Sequence, residues 1–530
     1  MKKLLAMVLA LVMTLSLAVS ANAAFKDDKD ISADYAEAAA VLDGMGVFEG
    51  VDGSFLPKDN ITRAQVATII YRVATADTAG YGKDKSGLYA TYNKFSDMTG
   101  AGWASGYIGY AANAEYVKGY PDGTFKPSGN VTGYEVLAMI LRVVGYDKNN
   151  EFSGADWALN VAKYAEQLGI LKNVAKTTDL SAPASRELVA ELLFQAIQVP
   201  TVTYTPAFGY QTDKVQKLEQ VSIGYKNFKL ASDDSEDAWG RPTTVWFEDS
   251  DKDLKFDSTE DTYAEVTATP KATFNVETSQ CDICEALGVK KTTTVVDTYT
   301  NGKLDTKDVT YTATATKAMV GAQGQQLEYY KVDGGYRLVV IDTYLAKVDT
   351  VKAEKTDAKG HVTSDAYMAL TVYTTSAGKT MYVKGNDYAK GDYVLVNVNE
   401  ESANNVSIVG FTNKQALVEI VGKADSIEGA QTKIWRNADK HTIADKDYMD
   451  AVQFNHNEAG DSTVKFTWLF DQFGNLIGSV ALERSNYAVL KDIIWNVGKP
   501  GSATATLISM VDGKEYARER GPRWYRCFHR

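Results

Sequence analysis

The sequence contains few residues of the types that build metal centres and covalent cross-links. Its 530 residues include three cysteines and four histidines. The histidines are scattered, and the single Cys-x-x-Cys pair, Cys281 and Cys284, has no second pair after it. A structural zinc site needs four closely spaced ligands, so this scarcity argues against one.

Long apolar runs are also missing, apart from one at the N-terminus. Residues 1–23 contain Lys2 and Lys3, an apolar stretch from Leu4 to Val19 and an Ala-Asn-Ala ending. This pattern predicts a signal peptide, whereas the alternative, a membrane anchor, needs about twenty apolar residues. The pattern therefore predicts an exported protein without a membrane span. In that setting the Cys-x-x-Cys pair favours a local disulfide, with free thiols as the alternative and Cys527 left unpaired.

Positive charge is scarce as well. The formal net charge is −12, and loss of the two lysines of residues 1–23 makes it −14. This balance argues against nucleic acid as a partner. Motifs of nucleophilic and metalloprotease catalysis are absent, which favours a protein that is not an enzyme. Carboxylate pairs among 68 acidic residues leave the question open for residues 201–510.

What the sequence does contain is an internal repeat of about seventy residues. Residues 119–142 carry an Asp-Gly turn, Pro127, and a capping box from Thr132 to Glu135 at the head of an amphipathic helix. Residues 50–72 repeat this pattern seventy positions earlier. A Phe-x-Asp segment opens each of these copies, and a weaker third copy begins near Phe152. Repeat limits are predicted at 24–75, 95–146 and 152–199.

The pattern of Phe-x-Asp, Trp-Ala, Gly-Tyr-x-Asp-Gly-Thr-Phe-x-Pro and Ile-Thr-Arg-Ala resembles the S-layer homology domain of bacterial surface proteins. The resemblance covers residues 25 to about 199. It implies an all-α, pseudo-threefold domain made of three repeats. It also implies non-covalent binding to secondary cell-wall polysaccharide, often a polymer that carries pyruvate ketals. The sequence is consistent with this fold, because the two short helices of a single repeat cannot bury both of their faces, whereas three copies would share one core.

The resemblance also points to binding residues. It places Arg63 and Arg186, at the head of the second helix of repeats 1 and 3, in sugar-binding grooves; repeat 2 has Gly133 there. A guanidinium holds a carboxylate by two parallel hydrogen bonds, and free helix N–H groups would add attraction. The alternative is that each arginine pairs with an acid of the next repeat. The remaining candidates are Thr62, Lys118, Lys172, Trp103 and Trp157. The alternatives for these are solvated surface lysines and tryptophans packed in the core.

After Pro200 the composition becomes rich in Thr, Val, Tyr and Asp, with alternating patterns typical of strands. We predict two to three all-β, sandwich-like modules with limits at 201–345, 346–414 and 415–510, the last of them incomplete if the C-terminal end is misassembled. Hairpin turns are predicted at residues 333–335 and 473–475. Residues 511–530 form an atypical, Arg-rich tail, either a functional basic segment or a misassembled end.

One segment has the spacing of a calcium loop. Residues 249–260 place carboxylates at positions 1, 3, 5, 9 and 12 of twelve, as in loops that wrap a hard cation in oxygen ligands. Position 6 is Leu254, where such loops favour glycine. An acidic solvated turn is the alternative, and no other cofactor is predicted. The candidate ligands are Asp249, Asp251, Asp253, Asp257 and Glu260.

Three functions remain open. The first is a surface coat protein, in which the repeats anchor the chain to the wall and the β region self-associates in a lattice. The second is a wall-tethered, glycan-active enzyme, and the third is an adhesin with an external ligand. The first agrees best with Thr- and Tyr-rich β modules that carry no catalytic motif. All three predict a secreted protein at the bacterial cell wall.

Overall fold

A computed structural model describes residues 25–80, 82–92, 94–213, 221–257, 259–290, 292–358, 361–374, 378–408, 411–430, 465–481, 488–495, 497, 502–509 and 515–520. The predicted signal peptide and Cys527 lie outside these residues. The α-helices of the described part are α1 Ala36–Gly44, α2 Arg63–Thr75, α3 Ser105–Asn113, α4 Gly133–Val144, α5 Trp157–Gln167, α6 Arg186–Ile197, α7 Ile223–Phe228 and α8 Gln280–Ala286. No helix of this part is long and apolar enough to cross a membrane.

The second helix of each predicted repeat begins at a side-chain cap. Thr62 and Thr132 each accept a hydrogen bond from the backbone N–H three residues on, at the head of α2 and α4. Gln65 and Glu135 bond back to the cap N–H, which completes the capping boxes. Ser185 caps α6 in the same way, without the return bond. Caps of this type satisfy backbone donors that would otherwise lack a partner.

The three capped helices begin around a closed cycle of backbone hydrogen bonds. The Ile61 N–H donates to the Ala184 carbonyl at 3.1 Å, Ala184 donates to Val131 at 2.8 Å, and Val131 donates to Ile61 at 3.1 Å. All three side chains are buried. Each predicted repeat therefore contributes one extended residue to the same point.

The helices enclose one hydrophobic core. Phe55 and Phe125, the phenylalanines of the two Asp-Gly-containing turns, are fully buried. Asp27 and Asp97 fix these turns, because each carboxylate accepts the backbone N–H groups of the turn phenylalanine and the following residue at 2.6–2.9 Å. The aspartate of each Phe-x-Asp segment thus holds the turn of its own repeat by hydrogen bonds to the backbone.

Strands follow the helices. Their bounds are β1 Val202–Thr205, β2 Gly209–Thr212, β3 Leu230–Glu236, β4 Pro242–Glu248, β5 Thr262–Thr267, β6 Ala272–Phe274, β7 Thr278–Ser279, β8 Thr293–Thr300, β9 Lys303–Thr312, β10 Met319–Val320, β11 Gln326–Val332, β12 Gly335–Ile341, β13 Thr343–Lys352, β14 Lys355–Thr356, β15 Val362–Ser364, β16 Tyr367–Val372, β17 Lys379–Lys384, β18 Tyr393–Ile408, β19 Phe411–Lys423, β20 Asp425–Ala430, β21 Lys465–Phe470, β22 Leu476–Ala481, β23 Ala488–Trp495, β24 Ala503–Ser509 and β25 Glu515–Arg520. A helical N-terminal region followed by a β-rich region is therefore confirmed.

Two five-stranded sheets form the middle of the β-rich region. The first has the order β6-β11-β12-β8-β9, in which β12 and β8 are parallel and the other neighbours antiparallel. The second, β17-β16-β13-β18-β19, is antiparallel throughout. The predicted turns at 333–335 and 473–475 join β11 to β12 and β21 to β22. The expected limit at 414/415 falls inside β19, which pairs with β18 on both sides of it.

The three-stranded sheet β3-β4-β5 packs directly on the helices. Trp246 of β4 and Ala264 of β5 belong to the same hydrophobic core as the helical region. The Trp246 indole N–H donates to Glu37 of α1 at 2.9 Å, and the Asn227 side chain donates to the Val73 carbonyl at the end of α2 at 2.8 Å. Composition changes at residue 200, but the packed core continues beyond it.

Candidate functional site

Arg186 lies at the junction between predicted repeats 3 and 1. Its side chain is 6% exposed and lies over the Phe48 and Phe55 rings. Nε donates to the Phe55 carbonyl at 2.7 Å and a terminal nitrogen donates to the Glu49 carbonyl at 3.0 Å. Among the described residues no carboxylate lies within 4 Å of it. Burial lowers the pKa of this guanidinium below its usual value, while Asp59 and Asp27 oppose that change.

Arg63 makes the equivalent contacts between repeats 1 and 2, together with an ion pair. Its Nε donates to the Phe125 carbonyl at 2.7 Å and a terminal nitrogen to the Lys118 carbonyl at 3.2 Å. The other terminal nitrogen pairs with Glu135 at 3.0 Å, and the Tyr120 ring lies 4.6 Å from the guanidinium. Arg63 is 3% exposed. These are the contacts expected for pairing with an acid of the next repeat.

The third junction, between predicted repeats 2 and 3, has Gly133 at the arginine position. A Cβ atom on Gly133 would lie 2.8 Å from Leu180 Cδ2 and 3.1 Å from its carbonyl oxygen. The neighbouring N–H, from Tyr134, donates to the same carbonyl at 3.1 Å. Leu180 Cδ2 is the end of a flexible side chain and can move, whereas the carbonyl oxygen is a tight contact, so glycine fits here with the least adjustment.

The helix N–H groups that were expected to attract the polymer are already used. At the head of α6, Arg186 and Glu187 donate to the carbonyls of Asp59 and Pro57 at 2.9 and 3.1 Å. The head of α2 donates in the same way to repeat 2. The adjacent repeat, rather than a bound anion, satisfies these donors, because the turn of that repeat passes directly over the helix end.

The other predicted binding residues differ in accessibility. Thr62 is half-buried and caps α2. Trp157 is half-buried, packs against the core and meets the Tyr134 ring at 6.4 Å between centroids. Trp103 is 46% exposed and meets Tyr107 edge to face at 6.1 Å.

The two candidate lysines also differ. Lys118 forms an ion pair with the buried Asp147 at 2.9 Å and a hydrogen bond with Asn150 at 3.1 Å. Lys172 is exposed and forms no ion pair within 4 Å in the described part of the chain. Lys118 therefore has a structural partner, whereas Lys172 keeps a solvated charge.

Sequence reasoning missed a second charged contact beside Arg186. The buried Glu187 accepts from Lys58 Nζ at 2.6 Å and from the Ser32 N–H at 2.9 Å. Lys58 directly follows the turn proline of repeat 1, and its side chain is 60% exposed. The sequence feature that could have indicated this contact is the lysine that follows the turn proline.

In the predicted calcium loop, three carboxylates come together. Asp249, Asp251 and Asp253 each have an oxygen within 4.8 Å of the others, with Asp249 buried and the other two exposed. Asp249 also accepts from the Tyr225 hydroxyl at 2.7 Å, and Leu254 has the left-handed φ of +64° that glycine usually supplies.

The last two predicted ligands of this loop make local contacts. Asp257 accepts from the Thr259 N–H at 2.7 Å, and Glu260 accepts from the Ser250 N–H at 3.0 Å. Neither belongs to the group of three carboxylates.

The predicted local disulfide was wrong. Cys281 and Cys284 lie on α8 as free thiols. Cys284 is fully buried beside Ile283 in the core of the first five-stranded sheet, whereas Cys281 is half-buried. The helix turns the two side chains into different surroundings, and burial raises the pKa of the Cys284 thiol.

Comparison with known proteins gives the family of the helical region. The family model of the S-layer homology domain matches residues 24–67 and 94–137, which lie in the first two predicted repeats. The chain is 25% identical over 305 residues to the middle cell wall protein of Brevibacillus brevis, covering 48% of this chain and 28% of the relative. It is 32% identical over 173 residues to the surface layer protein of Brevibacillus choshinensis, covering 31% and 15%.

A third relative is named for anchoring. The cellulosome-anchoring protein of Acetivibrio thermocellus is 36% identical over 119 residues, which cover 22% of this chain and 25% of the relative. The aligned part is less than a third of the length of each of these three relatives. The chain is a secreted cell-surface protein that carries S-layer homology domains.

Proposed function

We propose that the helical region anchors this protein non-covalently to an acidic secondary cell-wall polysaccharide, through Arg186. The observation that supports this most directly is that Arg186 is a buried guanidinium with no carboxylate partner among the described residues. Asp59 and Asp27 attract this charge only from beyond 4 Å, so it has no directly paired counterion, and a carboxylate on the polymer, such as a pyruvate ketal, would supply one. Lys172 and the exposed Trp103 are proposed to contribute weaker contacts to the polymer.

The closed cycle of hydrogen bonds at Ile61, Val131 and Ala184 supports a pseudo-threefold arrangement of three repeats. In this arrangement each junction is formed by the helix head of one repeat and the turn of another. The three junctions would be related by the same rotation but differ in side chains. The proposed binding junction is the one that contains Arg186.

Removal of the acidic groups from the polymer tests the proposal without altering the protein. We expect the protein to sediment with purified native walls and to remain in solution with walls depleted of pyruvate ketals. We also expect the double variant Arg63→Ala/Arg186→Ala to be released from native walls. Because both arginines bind backbone carbonyls, circular dichroism and thermal unfolding of the variant must first show that it is folded.

A second variant covers the case in which the double variant unfolds. Arg186→Lys keeps the charge but loses the planar pair of donors, so we expect weaker sedimentation by about tenfold in affinity or more. Equal sedimentation of the wild type with native and ketal-depleted walls would contradict the proposed acid recognition. A folded double variant that still binds native walls would contradict the assigned residues.

For the β-rich region we propose a structural role in a surface coat, with self-association rather than catalysis. The names of the relatives, a middle cell wall protein and a surface layer protein, support this role. Electron microscopy of the cell surface with antibodies against residues 201–430 tests it. A regular lattice that carries the label is expected, and a lattice without the label would contradict the coat role.

Calcium in the loop of residues 249–260 stays a prediction. The three converging carboxylates support it, and hard oxygen ligands suit this cation. Calorimetric titration of the EDTA-treated full chain should show heat at millimolar calcium or below. Asp251→Asn/Asp253→Asn should remove that heat, since both side chains are exposed and the change should leave the fold intact. No heat from the wild type would remove the site.

A further inference from the structure

The two junctions that contain an arginine differ in the third residue of the capped helix of the neighbouring repeat. At the junction of repeats 1 and 2 this residue is Glu135, and each of its carboxylate oxygens has a different role. One oxygen accepts the cap N–H of Thr132 at 2.9 Å and the other accepts Arg63 at 3.0 Å. A single carboxylate therefore completes the capping box and neutralises the arginine of the adjacent repeat.

At the junction of repeats 3 and 1, the equivalent position, seventy residues earlier, is Gln65. Its Oε1 accepts the cap N–H of Thr62 at 2.8 Å, as a Glu135 oxygen does for Thr132. The other end of the side chain is then an amide NH₂ group, which donates and cannot accept from a guanidinium. The capping function is kept, while the counterion for Arg186 is lost.

The backbone contacts of the arginine are closely matched at the two junctions, although that of Arg186 also contains the Lys58–Glu187 ion pair. In both, the arginine Nε donates at 2.7 Å to the carbonyl of the turn phenylalanine, Phe55 or Phe125. Tyr120, whose ring covers Arg63 and whose hydroxyl donates to Glu135 at 2.7 Å, corresponds to Val51 in repeat 1, because Gly119 and Gly50 before them occupy the same place in their turns. Both groups that occupy the Arg63 guanidinium are thus replaced at Arg186 by residues that leave it available.

We infer that Gln65 and Glu135 determine which junction accepts an anionic sugar. The junction with Gln65 accepts one carboxylate, and the junction with Glu135 is closed by an internal carboxylate in the same place. The protein then binds one acidic group per chain, although two of its repeats carry the arginine. This inference rests on the proposed function and adds the residue that selects the binding junction.

Calorimetric titration of the full chain tests the inference, with wall polysaccharide fragments released from purified walls by muramidase as the probe. The wild type is expected to bind one acidic group per chain. Gln65→Glu should supply an internal counterion to Arg186 and weaken binding by about tenfold or more. Glu135→Gln should open the Arg63 junction and raise the stoichiometry towards two.

Matched variants separate this effect from loss of the capping box. Gln65→Ala removes the return bond to Thr62 but introduces no carboxylate, so it should bind as the wild type does. Binding by Gln65→Glu at the wild-type affinity, or equal weakening by Gln65→Ala, would overturn the inference. Arg186→Ala in the same titration identifies the cause of a failure. If Arg186→Ala binds as the wild type does, the proposed function fails. If Arg186→Ala loses binding while Gln65→Glu keeps it, only the role of Gln65 fails.

Discussion

At the scale of single residues, the cost of burying charge determines what each ionisable group can do. Asp43 lies in the last turn of α1, half-buried and close to Glu49 and Asp28. Burial, followed by repulsion from these two carboxylates, raises the pKa of Asp43 from 3.8 to about 6. The end of a helix carries partial negative charge, so this position also disfavours an ionised carboxylate.

The raised pKa of Asp43 predicts a pH dependence of stability. A folded-state pKa above the unfolded value adds stability that is complete below about pH 4 and is lost as the pH rises through about 6. Asp43→Asn removes this loss, so its free energy of unfolding should increase relative to the wild type between pH 4 and pH 7. Urea unfolding across this range measures the difference. The exposed Asp30→Asn serves as the control, and the same pH trend in both variants would contradict the prediction.

At the scale of elements, the segment between repeats 1 and 2 contacts the helices through several side chains. Tyr71 donates to Asp77 at 2.7 Å, and Tyr107 of α3 donates to Asp84. The ring of Tyr89 packs edge to face on Tyr110, also of α3, with 5.0 Å between centroids. Sequence analysis gave these residues no role, because the contacts with Tyr107 and Tyr110 join residues more than twenty positions apart.

The backbone of this segment packs so closely on α3 that replacing a glycine of the helix by alanine should lower stability, although helix propensity alone predicts an increase. Alanine favours a helix interior over glycine by about 1 kcal/mol. At Gly109, however, a Cβ atom would lie 2.1 Å from the Tyr89 carbonyl oxygen, so Gly109→Ala should destabilise the protein. Gly87→Ala, which meets nothing within 4 Å, is the matched control and should be close to neutral. Thermal unfolding compares the two, and a more stable Gly109→Ala would show that the segment moves away freely.

Local signals explain what the sequence predicted about elements. The capping box of Thr132 and Glu135 and the turns at 333–335 and 473–475 depend on neighbouring residues, so they could be identified without a fold. The ion pair of Arg63 with Glu135 joins residues 72 positions apart. Predicting this particular pair would have required knowing how the two repeats are placed against each other. The expected limit at 414/415 has a different cause: it rests on composition, whereas β18 and β19 form one hairpin that pairs across it.

At the scale of the whole molecule, side-chain contacts join the sheet that packs on the helical region to the rest of the β-rich region. The Trp239 indole N–H donates to Glu419 of β19 at 3.1 Å. Arg241 pairs with Glu328 of β11 at 2.7 Å, and Arg337 of β12 pairs with Glu236 of β3 at 2.8 Å. The β3-β4-β5 sheet therefore contacts both five-stranded sheets and, through Trp246, the helices.

Trp246 provides the test of whether helices and sheet unfold together. It is 8% exposed, packs edge to face on Phe194 of α6 at 5.1 Å and donates to Glu37. Truncation of a large buried aromatic side chain typically costs about 3–5 kcal/mol, so Trp246→Ala should lower the stability of the helical region by that order. Urea unfolding followed by the helical circular dichroism signal measures the change.

The control uses the same substitution at an exposed position. Trp103→Ala removes a side chain that is 46% exposed, so its effect on the helical transition should be much smaller. Because Trp246 lies 46 residues beyond the change in composition at Pro200, a loss of helical stability would mean that a helical domain ending at residue 200 lacks part of its own core. A fragment of residues 24–200 should then unfold at lower urea than one of residues 24–268. Equal midpoints for the two fragments would show instead that the helices are stable without the sheet.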